Sequence, residues 1–170
     1  MANKTLFRLK MILYAAVLLL AELLQTAVFG GLPLGIVPCV MPVAVVCIAM
    51  FEGGERGAIF GLAGGCLWAW GTALSTYGAL CIVILAVTGA ATGLITERYL
   101  LQGVPTALCI SAASLLLTDG LYVLFQAVYG NIPGKAFFTL FIPECLLSLA
   151  LGLVFYAITA QISRIGGSHG

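Results

Sequence analysis

Residues 57–96 read GAIFGLAGGCLWAWGTALSTYGALCIVILAVTGAATGLIT, forty residues in a row without Asp, Glu, Lys or Arg. A helix that crosses the hydrocarbon core of a bilayer needs ~20 predominantly apolar residues, so this stretch is long enough for two. Its weakest point is GTALSTYG (Gly71–Gly78), where small and hydroxyl residues cluster. A short turn belongs there. Two back-to-back spans are the reading that decides the fold.

The flanks continue the pattern. Upstream, EGGER (Glu52–Arg56) is a polar turn, preceded by LPLGIVPCVMPVAVVCIAMF with Pro33, Pro38 and Pro42. Proline removes a backbone donor, so Pro38 and Pro42 are expected to kink or break this second span. Irregular backbone is tolerated at membrane depth only when it is buried in protein or lines a cavity. The first span is MILYAAVLLLAELLQTAVFG, preceded by Lys4, Arg8 and Lys10. Its length, Glu22, Gln25 and the lack of a small-residue cleavage site favour a spanning helix over a signal peptide. Downstream, ERYLLQG (97–103) closes the fourth span, YGNIPGK (129–135) is a turn between the fifth and sixth, and QISRIGGSHG trails off. The expected spans are 10–29, 32–51, 57–74, 77–96, 105–129 and 136–160, in a single domain.

Composition agrees. Of 170 residues, 62% are hydrophobic and 8% charged, with a net charge of +1 and a mean hydropathy of +1.18. Soluble domains run nearer 45–50% apolar and about 25% charged. A soluble enzyme, a nucleic-acid binder, a disordered tail and a secreted disulfide scaffold are all excluded. With the N-terminus inside, Lys4, Arg8, Lys10, Arg56, Arg98 and Arg164 fall on the inner side and only Lys135 on the outer. That bias follows the positive-inside rule and expects six transmembrane helices with both ends cytoplasmic: an all-α integral membrane protein.

Small residues mark the packing faces. Gly57, Gly61 and Gly65 recur every four residues, as do Gly89 and Gly93. This spacing lets helix backbones approach closely in lipid. Internal packing is the plainer reading, docking of a partner helix the other.

Three acidic residues stand inside spans: Glu22, Asp119 and Glu144. A charge at mid-bilayer costs ~2.5–3.5 kcal/mol on insertion scales. The topology places all three in the outer half, which makes a polar region shared by helices one, five and six geometrically possible. Gln25 and Thr26 follow Glu22 at helical spacing, Tyr122 follows Asp119 and Ser148 follows Glu144. Three readings stay open: interhelical hydrogen bonding, a docking point for a partner helix, and a small-molecule or headgroup pocket. The six cysteines (Cys39, Cys47, Cys66, Cys81, Cys109, Cys145) show no CxxC and no neighbouring His. They read as small buried hydrophobes, giving no disulfide framework and no metal site.

Catalytic motifs are missing. The single histidine, His169, is in the tail and Asp119 is the sole aspartate. A Ser–His protease, an HExxH metalloprotease and a two-aspartate protease all lack their residues, and there is no Walker loop. The expectation is a non-enzyme with no catalytic residues and no cofactor.

The chain resembles the MreD family, rod shape-determining membrane proteins of the bacterial cell-elongation machinery. The resemblance runs over about residues 10–165. It rests on LLLAELLQTAVF, the proline-bearing second span, EGGERGAIFGLAGGCLWA, GALCIVILAVTGAATGLITERY and FIPECLLSLALGLVFYAITAQISR. Two positions depart: CLWAWG stands where the family often has an acidic residue, and Leu147 and Ser148 where it often has Asn. The resemblance implies a multi-pass protein of the bacterial cytoplasmic (inner) membrane with a non-enzymatic role in cell shape and lateral peptidoglycan synthesis. It implies binding to MreC, and association with RodA, its penicillin-binding protein and MreB filaments. It also implies a fold resembling the substrate-capture subunits of energy-coupling-factor vitamin transporters. Such a subunit is the alternative function; short, nearly uncharged outer turns and the lack of an AxxxA pair in MILYAAVLLLAELLQ favour the scaffold.

Overall fold

A computed structural model describes residues 2–29, 38–71, 76–99, 102–129 and 135–165. They form helices α1 (Ala2–Leu23, extended by π-helical turns over Leu24–Phe29), α2 (Val40–Glu52), α3 (Gly54–Gly71), α4 (Thr76–Arg98), α5 (Val104–Val128) and α6 (Lys135–Arg164). There is no strand among the described residues. Three segments are long and apolar enough to cross a membrane, Gly78–Arg98, Val104–Phe125 and Phe141–Arg164. They mark the chain as a membrane protein. Exposed aromatic residues at helix ends fit that solvent: Trp70, Tyr99 and Tyr129 stand where amphipathic rings prefer the headgroup level.

The centre of the bundle is α2. Every residue from Val40 to Met50 is buried, and α1, α3, α4, α5 and α6 all pack against it. At 1.5 Å per residue its 13 residues span only ~20 Å, short of a ~30 Å hydrocarbon core. Of the expected second span over 32–51, this helix is the helical part that the structure describes, and 32–37 lie outside the described residues. Proline explains where it starts. Pro38 precedes α2 and Pro42 sits in its first turn, where a backbone N–H has no intrahelical partner to lose. Pro42 therefore starts a helix where a kink was expected.

The first N–H groups of α2 are satisfied from another helix. Gln25 is buried, and its Oε1 accepts hydrogen bonds from the backbone N–H of Val40 at 3.1 Å and Met41 at 3.2 Å. The π-helical turns of α1 carry Gln25 to this position. At the other end, α2 passes into α3 through Gly53 with φ at +85°, a backbone conformation open to glycine and strained for other residues.

Backbone contact joins α3 to α4. A Cβ on Gly57 would lie 2.5 Å from the Gly89 carbonyl oxygen, and one on Gly65 would lie 2.5 Å from Ile82 Cα. Cβ atoms on Gly61, Gly89 and Gly93 would run into the backbone of Leu85, Gly57 and Gly53 respectively. The expected glycine faces of the third and fourth spans are one interface, and internal packing accounts for all five glycines.

Candidate functional site

Three polar clusters and one groove stand out from the apolar bundle. The first cluster closes the end where α2 meets α3. Glu52 is almost wholly buried, with its side chain 1% exposed. It pairs with Lys10 of α1 at 2.5 Å and with Arg56 at 2.8 Å. The i,i+4 partner Arg56 is legible in EGGER; Lys10 comes from another helix, and sequence spacing gives no sign of it. Arg56 also lies 5.0 Å from the Phe7 ring centroid, which ties α3 to the start of α1.

Glu22 forms the second. Both carboxylate oxygens are closed off from solvent and have no hydrogen-bond partner among the described residues, and a Cβ on Gly71 would collide with Oε1. Glu22 therefore faces the end of α3. Its neighbour Thr26 donates a hydrogen bond to the Glu22 backbone carbonyl at 2.8 Å, so the expected side-chain pairing of the two is replaced by a bond along the helix. Gln25, the other expected partner, is committed to α2.

The third cluster joins α5, α6 and the start of α2. Ligand-type atoms of Cys39, Asp119 and Glu144 all lie within 4.8 Å of one another. Asp119 and Glu144 thus meet as expected, whereas Glu22 stands outside this group. The polar region considered for helices one, five and six is two sites: Glu22 faces the end of α3, and Asp119 and Glu144 meet at the start of α2. Cys39 is a residue that sequence reading missed. Nothing near it in the chain looks like a ligand set; its neighbours arrive from helices eighty and more positions away. The reading of the cysteines as small buried hydrophobes fits Cys47, whose thiol only approaches the Gly152 carbonyl at 3.9 Å; Cys66 and Cys109 are exposed, and buried Cys39 has ligand-type neighbours. Ser148 donates to the Glu144 backbone carbonyl at 2.8 Å, so it serves the helix and leaves the carboxylate alone.

The groove lies on the outer face between α1 and α3. Ala15, Leu18, Leu19, Phe60, Ala63, Cys66, Leu67 and Trp70 line about 480 Å³ of open, apolar space. Small residues make it: Ala15 on one wall and Ala63 and Cys66 on the other leave a furrow between larger neighbours. Leu19 and Trp70, at 51% and 81% exposed, form its rim at the end where Glu22 stands.

Comparison with family models, with curated proteins and with solved structures gives no match.

Proposed function

We propose that the protein is a six-span membrane scaffold of the bacterial cell-elongation machinery, of the MreD kind. It is non-enzymatic, lies in the cytoplasmic membrane with both ends inside, and grips the single spanning helix of MreC. RodA, its penicillin-binding protein and MreB filaments belong to the larger assembly. The observation that carries this reading is the α1–α3 groove, an open apolar furrow running along two helices. A furrow of that form takes a rod, and in lipid the small residues on its walls let a helix backbone come close. Six spans are supported by α1, which continues past Leu23 through its π-helical turns, and by α3. In α3 the charges Glu55 and Arg56 are confined to the first turn, leaving an apolar remainder. The basic residues Lys10, Arg56, Arg98 and Arg164 then share one side of the membrane, as the positive-inside rule requires.

The test is site-specific photocrosslinking in cells. A photoreactive residue at Cys66 should capture MreC, and the same group at Val154, an exposed residue on α6, should capture it far less. Filling the furrow with Ala63→Trp should abolish co-purification of MreC. Capture at Val154 with none at Cys66, or full co-purification with Ala63→Trp, would overturn the reading.

One observation favours a second reading, a substrate-capture subunit of an energy-coupling-factor vitamin transporter. Asp119 and Glu144 form an anionic pair of the sort that holds a cationic ligand. Native mass spectrometry of the gently extracted protein separates the two. A co-eluting MreC supports the scaffold; a vitamin-sized adduct or an ATPase-coupled membrane partner supports capture.

A further inference from the structure

A thiol and two carboxyl groups come together where the beginning of α2 meets α5 and α6. Cys39 is 7% exposed and its thiol is in no disulfide. It shares this space with an orphan: Asp119 Oδ2 is shut off from solvent and has no hydrogen-bond partner among the described residues. Neither carboxylate has a basic partner among the described residues. Buried charges are ordinarily paired or coordinate a metal, and an ionisable residue at membrane depth is by default a sign of function.

A proton shared between the two carboxyls is the simplest way to quiet such a pair. It would bring one oxygen of each to hydrogen-bond distance. Asp119 Oδ2 has no such partner among the described residues, and a proton shared through the other oxygen still leaves the buried thiol without a role. An ion placed between the three groups accounts for all of them. Zinc binds thiolate at ~2.3 Å and carboxylate oxygen at ~2.0–2.2 Å in a tetrahedral shell, which puts its ligand atoms roughly 3.5 Å apart. The donor atoms here lie within 4.8 Å of one another and need to close by about 1.3 Å at most.

We propose that Cys39, Asp119 and Glu144 bind a divalent transition-metal ion of the zinc class. The donor set selects the metal. Calcium and magnesium take oxygen ligands, and thiolate excludes them; one sulfur with two carboxylates suits a borderline ion better than a fully soft one. Cys39 immediately precedes α2, so its thiolate stands at the positive end of that helix dipole. Asp119 and Glu144 are only partly buried, and the ion reaches the site past them. Three protein ligands leave a fourth position open to water or to a partner's side chain. The site goes beyond the scaffold reading and is independent of whether MreC binds.

The experiment uses the full chain in lipid nanodiscs, carrying His169→Ala so that no imidazole competes. It is stripped with a chelator, loaded with Zn²⁺ or Co²⁺ and desalted. We expect one zinc per chain to be retained, and the cobalt form to show a thiolate-to-metal charge-transfer band. Cys39→Ser should abolish that band, while Cys47→Ser, at a buried cysteine elsewhere, should keep it. Asp119→Asn and Glu144→Gln should each weaken retention roughly tenfold or more, the scale on which even outer-sphere partners act. Zinc should also raise the Tm of the parent chain, and a chelator should reverse the rise, a readout that needs no folded variant. Equal zinc retention in the parent and Cys39→Ser chains, a cobalt spectrum without the thiolate band, or a Tm indifferent to zinc would each overturn the proposal.

Discussion

Gln25 does in this bundle what a capping side chain does at the start of a soluble helix, but it does so from another helix. Val40 and Met41 are buried; the Val40 N–H also bonds the Pro38 carbonyl at 3.1 Å, so the Met41 N–H is the one that depends on Gln25. Leaving a buried donor unsatisfied costs about 1–3 kcal/mol. We therefore expect Gln25→Leu to lower stability by about 2 kcal/mol, read as a shift of the unfolding midpoint in detergent, with secondary structure otherwise retained. A midpoint unchanged from the parent would mean that α2 finds its cap elsewhere. At this scale the sequence was partly readable. Gln25 and the three intramembrane acids are visible because polar residues are expensive in an apolar run. Their partners are not visible, because Gln25 meets Val40, Lys10 meets Glu52 and Cys39 meets Glu144 only after the helices pack. Spacing along one helix suggested Thr26 for Glu22 and Ser148 for Glu144, and in both cases the hydroxyl bonds the backbone carbonyl.

Among the elements, α3 and α4 make the firmest pair, and their glycines are not equivalent to the others. A methyl group on Gly61 would strike the Leu85 backbone, which cannot swing away as a side chain tip can. Gly61→Ala should force the helices apart at about 1–3 kcal/mol, the usual cost of overpacking. Gly120 on α5 is the contrast, with nothing within 4 Å of an added Cβ. Gly120→Ala should be neutral or raise stability by up to about 1 kcal/mol, the difference in helix propensity. Parallel unfolding titrations of the two variants decide the point; equal effects would show that propensity and not contact governs the α3 glycines. The four-residue glycine spacing was legible because period and residue size alone specify such a face. The shape of α2 was less so. Three prolines announced an irregular segment, but whether a proline kinks a helix or begins one depends on where the first turn falls. Pro42 lies in that turn.

For the molecule as a whole, the proposed six-span arrangement makes a directional statement that can be checked without any partner. A cysteine placed at Glu55, exposed at the start of α3, and one at Tyr129, exposed at the end of α5, should label from opposite sides. Membrane-impermeant maleimide should reach Tyr129→Cys in spheroplasts and Glu55→Cys only in inverted vesicles. Labelling of both from one side would remove the arrangement with both ends inside. The all-helical membrane character was legible in the sequence mainly through what was missing, charge over forty residues. The way in which the spans gather round one short helix depends on long-range packing that no local pattern encodes.

That short helix has a consequence for how the protein is made. Every residue from Val40 to Met50 is covered by neighbours, and those neighbours include α4, α5 and α6, which the ribosome has not yet synthesised when α2 emerges. A segment ~20 Å long is a poor candidate to leave the insertion machinery alone for the lipid. It must be held back or left provisional until the later helices arrive to enclose it. Chains cut off after α3 would then leave their most apolar element without a home, which is the form of nascent protein that membrane quality control is built to remove.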